Sequence, residues 1–301
     1  MGRRAPNAAV RKIAGLLNES PEMKVRFLLA RRVPPVPSPV LVEVERLLRH
    51  RGYRVDGETV EEVVQRLDRV RVEADLYVVK SHTELTLSVA GVLDAKGALT
   101  LNPYRSCQTA QDKIQVSARL DAADLPVPRS WVTGCLDLLT SLVDQHPLVV
   151  KPHRGHRGAG VVIARDAAAL ASIPPLQFPV IVQEFIDGPA EDLKVYVVGD
   201  QVFAVRKPFT PDSFTQPGRP VQVNQRLRDI AMRVGDVLGL GLYGMDVVES
   251  DRGPVIVDVN YFPGYKGVSD VAFPIADYID RYARGEIALP ISSRPFALST
   301  S

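Results

Sequence analysis

The chain has 301 residues, 46% hydrophobic and 24% charged, with a net charge of +2 and a mean hydropathy near zero. That composition excludes collagen, coiled coil and wholesale disorder, and the length suits two domains or three small ones at roughly 100–200 residues each. So slight a charge gathers no nucleic acid, no apolar run reaches a membrane-spanning length, and Cys107 and Cys135 are too few for a disulfide scaffold or a zinc site.

Both cysteines read as buried small hydrophobes in a reducing, cytoplasmic setting. Residues 1–22 carry Arg3, Arg4, Arg11 and Lys12 and read as a flexible basic leader, because a signal peptide needs a longer apolar core. From Met23 the pattern is α/β. Val25–Ala30 is a strand, Pro34–Pro39 a stiff loop, and Ser38 with Pro39 opens a helix burying Leu41, Val44, Leu47 and Leu48 and ending at Gly52. A helix near Val60–Leu67, a strand Asp75–Lys80, a helix Glu84–Leu93 and a short strand Ala98–Leu101 complete a first domain, 23–102, with a small parallel sheet.

A second region, 103–185, begins with a helix over Thr109–Leu120. The prolines keep Leu125–Trp131 extended. Leu148–Lys151 is a strand ending in a lysine, and the glycine-rich loop Pro152–Gly160 returns through the strand Val161–Ala164. Glycines let backbone N–H groups approach an anion, and Arg154, His156 and Arg157 add donors, so phosphate is the natural guest. The lysine precedes the glycines, so this is not a Walker loop. Val180–Ile186 is a buried strand whose end offers unpaired backbone groups suited to the edge of an adenine.

The third region, 186–290, opens with two runs around the turn Gly199-Asp200. A two-residue turn pairs Val198 with Gln201, so Lys194 faces Val205 and Asp192 faces Lys207. Asp192, Lys194 and Lys207 then share one sheet face, with Arg206 on the other. A helix over Val223–Leu238 stops at Gly239. Gly244–Val248 and Val255–Asn260 form a hairpin; counting outward from a three-residue turn at Asp251–Gly253 sets Asp246 opposite Asp258. Facing carboxylates repel unless a cation lies between them, and hard oxygens suit Mg²⁺, so Asp246, Asp258 and Asn260 are the candidate metal ligands. Residues 291–301 read as a polar tail.

In order, Asp112-Lys113, Val149-Val150-Lys151-Pro152, Gln183-Glu184-Phe185-Ile186, Asp192-Leu193-Lys194-Val195, and Asp246 with Asp258-Val259-Asn260 resemble the ATP-grasp superfamily over roughly Thr109 to Gly267. The resemblance implies an α/β (α+β) ATP-grasp fold, with an N-terminal small parallel-sheet domain followed by two lobes clamping ATP. It implies that Lys113, Lys151, Gly158, Gln183, Glu184, Phe185, Ile186 and Asp192 hold the nucleotide, with magnesium on the three oxygen ligands. The run Asp258–Tyr265 looks most like the inositol polyphosphate (tris- and tetrakisphosphate) kinases, as does the run from Lys194 through Lys207-Pro208. That likeness implies transfer of the ATP γ-phosphoryl group to a small anionic acceptor held by Lys80, Lys194, Lys207 and Gly264, with Lys151, His156, Arg206 and Lys207 in catalysis. The shorter loop Gly155–Gly160, Asp192 and Leu125–Pro128 resemble instead the ATP-grasp carboxylate–amine ligases, which act through an acyl phosphate. The expected partner is a small anionic substrate, without nucleic acid or membrane, bound by a monomer or homodimer.

Overall fold

The computed structural model describes residues 22–155, 160–174, 179–208 and 218–290. Its first sheet is parallel throughout. Strands β1 (Lys24–Leu29), β2 (Arg54–Thr59), β3 (Leu76–Val79) and β4 (Thr100–Leu101) lie in the order β2-β1-β3-β4. Helix α1 (Pro39–His50) buries Leu41, Val44 and Leu48, and α2 (Glu84–Ala95) buries Leu87, Ala90 and Leu93. The helix expected near Val60–Leu67 is absent. The stretch follows β2 directly and holds only short 3₁₀ turns, at Val60–Glu62 and Leu67–Arg69. β2 is a polar edge strand held by charge, with Asp56 2.8 Å and Glu58 3.4 Å from Arg26 of β1. Of the apolar spacing that suggests a helix only Val60 is buried, while Val63, Val64 and Leu67 are exposed.

The helix expected over Thr109–Leu120 is two helices, α3 (Tyr104–Gln111) and α4 (Lys113–Asp121). Asp112 between them is extended and its carboxylate accepts from the Ile114 and Gln115 N–H groups, so a capping side chain breaks one helix to start another.

The second sheet is antiparallel. It comprises β5 (Ser130–Thr133), β6 (Leu148–Pro152), β7 (Val162–Ala164) and β8 (Val180–Glu184), in the order β5-β8-β6-β7. Two short helices, α5 (Thr140–Val143) and α6 (Ala167–Ala171), contribute to its core. Strand alternation sends Leu148, Val150, Val180 and Val182 into a small cluster with Leu139, Val143, Ala164 and Leu170. Val149, Lys151, Ile181 and Gln183 therefore face the other way. This cluster is separate from the larger core that the first and third sheets share.

The third sheet, also antiparallel, has the order β11-β10-β9-β12-β13. Its strands are β9 (Glu191–Val198), β10 (Gln201–Pro208), β11 (Arg219–Val221), β12 (Leu242–Ser250) and β13 (Gly253–Tyr261). Helix α7 (Gln225–Leu238) is capped by Asn224, whose side chain accepts from the Leu227 N–H at 2.9 Å. It ends at Gly239 in the left-handed region, φ 67°. A Cβ there would lie 2.4 Å from the Pro290 carbonyl oxygen and 2.6 Å from Ser106 Oγ. Gly239→Ala is therefore expected to cost more than the about 1–2 kcal/mol of the backbone conformation alone, read as a lower urea midpoint at unchanged slope. Helix α8 (Ala272–Ala283) ties the third sheet to the first, through Tyr53 OH donating to Asp280 at 2.5 Å and Arg51 3.2 Å from the same carboxylate.

Cys107 is buried as expected, but Cys135 is exposed. Among the described residues no helix is long and apolar enough to cross a membrane.

Candidate active site

Four strands put a row of chemistry across the third sheet. Lys194 of β9 lies between Val205 of β10 and Asp246 of β12, and Asp246 lies opposite Asp258 of β13. Two departures from the counted register cancel here. The hairpin turn holds two residues, because Ser250 pairs with Gly253, and a bulge then makes Val257 the extra residue between Ile256 and Asp258. The bulge leaves the Val257 carbonyl outside the ladder, and Lys151 donates to it at 3.0 Å.

The carboxylates are held by cations and an amide. Lys194 Nζ is 2.7 Å from Asp246 and 2.5 Å from Asp192. Lys113 is 3.3 Å from Asp258, and the Asn260 amide donates to Asp258 at 3.1 Å. Burial, helped by Asp192 and Asp258, pushes the Asp246 carboxyl up to about 6 against the pull of Lys194. Burial works against the Lys194 ammonium, yet Asp246 and Asp192 hold it above its ordinary range. Two carboxylates and an amide, set side by side on adjacent strands, supply the hard oxygens Mg²⁺ takes alongside substrate phosphates, so the donor set fits that ion. Among the described residues no three His, Cys, Asp or Glu side chains group as metal ligands, so a divalent ion here would lean on Asn260 and on phosphate.

The second sheet faces this row with Lys151, which is 9% exposed and also donates to Gln183 Oε1 at 2.7 Å. Burial pushes its ammonium down, with Asp258 and Asp246 opposing and Lys113 reinforcing the shift. Lys113 also donates to the Gly155 carbonyl at 3.1 Å, joining α4 to the base of the glycine loop. The Glu184 and Phe185 N–H groups donate to the Arg129 and Pro147 carbonyls, so the backbone donor expected at this strand end falls to Ile186, whose N–H meets no acceptor among the described residues.

Other candidates sit elsewhere. Arg206 is on the opposite face, as alternation requires, 2.6 Å from Glu249 and 3.8 Å from Glu191, so it is not brought to the carboxylate row. Lys207 faces Asp192 across the strands and is 3% exposed, its ammonium pushed down by burial and by Lys194 and Lys266. Gly218 covers its stem: a Cβ there would lie 2.8 Å from Lys207 Cγ. The Glu184 carboxylate is not turned to a base, being clamped by Arg129 at 2.8 Å and Arg252 at 3.1 Å. Lys80 directly follows β3 and donates to the Phe262 carbonyl at 2.8 Å, and burial with Arg32 lowers its ammonium to about 8. Gly264 is uncrowded; a Cβ would meet only Lys266, at 3.8 Å. His156 and Gly158 lie outside the described residues. The Val257 carbonyl and the arginine clamp on Glu184 left no signal in the sequence, because both depend on the bulge and on a hairpin tip reaching another sheet.

Two antiparallel sheets, facing one another through Lys151 and an aspartate pair, define an ATP-grasp protein. The family described as the RimK-like ATP-grasp domain matches residues 110–281, and the chain belongs to that family. A probable alpha-L-glutamate ligase of Xanthomonas oryzae is 34% identical over 227 residues, 68% of this chain and 76% of the relative. The fold is similar to that of a RimK domain ATP-grasp protein from Sphaerobacter thermophilus, with a TM-score of 0.70 at 22% identity, covering 85% of this chain and 99% of that one. It is also similar to the ATP-grasp ligase PsnB solved with a minimal precursor, Mg and ADP, with a TM-score of 0.63 at 18% identity over 86% and 97% of the two chains. These comparisons favour the ligase alternative over the inositol polyphosphate kinase expectation.

Proposed function

We propose that the chain is an ATP-dependent carboxylate–amine ligase acting through an acyl phosphate. The observation that carries the reading is the membership of the RimK-like family, with relatives named alpha-L-glutamate ligase. The Asp246–Asp258 pair with Asn260, among lysines on a face that meets Lys151, supplies the phosphoryl-transfer site such a reaction needs. In the first step a substrate carboxylate oxygen attacks the γ-phosphorus and the bond to ADP breaks. An amine then attacks the acyl carbon, the C–N bond forms, phosphate leaves and the amine gives up a proton. Both steps pass through anionic transition states, so positioning and cations serve where no protein nucleophile is needed.

Asp246, Asp258 and Asn260 would hold Mg²⁺, which supplies charge neutralisation between phosphates when bound. Lys151 and Lys113 are placed to take phosphate oxygens once nucleotide displaces their contacts with Val257 and Gly155. Lys207, buried and facing Asp192, is the candidate cation for the reacting carboxylate. Lys80 and Gly264, at the end of β3 and beside it in the loop after β13, are candidates to line the acceptor. The name borne by the relatives suggests L-glutamate as one joined partner.

The test is stoichiometry. With ATP, Mg²⁺, L-glutamate and a panel of amines and peptides, a ligase releases ADP and phosphate in equal amounts, and hydroxylamine traps a hydroxamate. ADP formed without phosphate, together with a stable phosphoester, would return the kinase reading.

A further inference from the structure

Lys151 is held without an acid. Its ammonium donates to two neutral oxygens, Gln183 Oε1 at 2.7 Å and the Val257 carbonyl at 3.0 Å. Among the described residues no carboxylate forms an ion pair with it. Lys194 and Lys113 differ, each being paired to an aspartate. Neutral partners orient an ammonium yet leave its whole charge for an anion. The two contacts are not equivalent. The one with Val257 crosses to the third sheet and is the one a phosphate oxygen would displace. The one with Gln183 lies inside the second sheet and survives that exchange.

The register explains why Gln183 reaches. Lys151 of β6 pairs with Ile181 of β8, so Gln183, two residues on, lies diagonally across on the same face. Its amide is buried, 4% exposed, and engaged at both ends. Nε2 donates to Ser117 Oγ of α4 and to Ser130 Oγ of β5, both at 3.3 Å. Ser130 gives its own proton to the Pro128 carbonyl at 2.9 Å, so its oxygen is an acceptor and draws the amide nitrogen. An ammonium has no lone pair, so the end turned to Lys151 can only be the amide oxygen. The orientation of Gln183 is thus dictated from both sides, and each bond polarises the next from Lys151 through Gln183 and Ser130 to Pro128.

We propose that Gln183 is a positioning residue for nucleotide binding: rather than holding the nucleotide itself, its amide oxygen keeps the Lys151 ammonium aimed at phosphate when the contact with Val257 gives way. The inference rests on the reading of Lys151 as a phosphate ligand, and it stands whether the phosphoryl group passes to a carboxylate or a hydroxyl. Burial already works against this ammonium, so an acceptor taken away is not simply replaced by water.

A double-mutant cycle on MgATP affinity, read by calorimetry on the full chain, tests the coupling. Its members are the wild type, Gln183→Met, Lys151→Met and the two substitutions together. Lys151→Met should weaken MgATP about 30-fold or more and Gln183→Met about tenfold. The double variant should match Lys151→Met within about twofold, because a residue that acts through the lysine then has nothing left to hold. A merely structural role, or direct contact with the nucleotide, would weaken binding in either background. Effects that multiply in the double variant therefore overturn the proposal, and so does an unchanged affinity in Gln183→Met. A Lys151→Met chain that binds MgATP as well as the wild type overturns the phosphate reading of the lysine and the positioning role with it. Should Gln183→Met fail to fold, Gln183→Asn takes its place in the cycle with the same expected values. It keeps the amide but is one methylene too short to reach both the lysine and the serines.

Discussion

Asp258→Asn is expected to lower ATP turnover by on the order of 10²–10³-fold while leaving the fold intact. Asparagine keeps the shape of the side chain and an oxygen at the position opposite Asp246, so neither the ladder nor the bulge at Val257 need change. What goes is one of two carboxylate charges. The remaining acid, Asp246, is half-buried with a carboxyl already pushed up to about 6, and alone it is a poor ligand for a divalent ion. Relief of the repulsion with Asp246 is offset by the lost ion pair with Lys113, so unfolding by urea should show little change in stability. Turnover within tenfold of the wild type, with a normal magnesium requirement, would remove Asp258 from the metal assignment.

Lys194→Met should act chiefly on stability. From the sequence, Lys194 is a substrate lysine; in the fold it sits between Asp192 and Asp246 as their counter-ion. Taking it away leaves two partly buried acids facing each other. Breaking a fully buried pair costs about 3–5 kcal/mol, and with side chains 16–26% exposed the expectation here is about 2–3 kcal/mol. The pH dependence has a definite sign. Lys194 is held above its ordinary range, so it stays charged through neutral and acid pH and its own deprotonation removes the contribution only at strongly alkaline pH. Asp246, raised to about 6, takes up a proton in the folded state before the unfolded chain does. Without Lys194 it does so more readily, so the deficit of the variant should be largest above pH about 7 and shrink toward pH 5. Urea unfolding without magnesium, at pH 5 and pH 8, measures both numbers. A deficit that is equal at the two pH values would mean the two acids do not depend on this lysine.

The opposition of Asp246 and Asp258 was legible from alternating valines around a turn, although the count used a turn one residue too long and no bulge. The two departures cancel because a bulge supplies the residue that a shorter turn removes. The register of β9 and β10 was legible outright, since Gly199 with Asp200 fixes a two-residue turn. β2 was not, because its polar residues follow ion pairing with Arg26 rather than burial. The division at Asp112 needed the capping geometry, which competes locally with an unbroken helical pattern. Charge partners were the least legible of all. That Lys113 and Lys194 are paired to aspartates, while Arg206 is drawn to Glu249, depends on which strands become neighbours. The run from Asp258 to Tyr265 looked most like a kinase because it encodes metal and backbone geometry that phosphoryl transfer to either a hydroxyl or a carboxylate would share.

The second sheet keeps its own small cluster of apolar side chains, while the other two sheets share theirs. The carboxylate row and Lys151 thus lie along a seam between two separately cohering bodies, bridged by a few polar links such as Lys151 to Val257 and Lys113 to Gly155. Each body can open and reclose without dissolving the other. A nucleotide touching both would make their melting a single event, so its binding would weld the molecule as well as fill it.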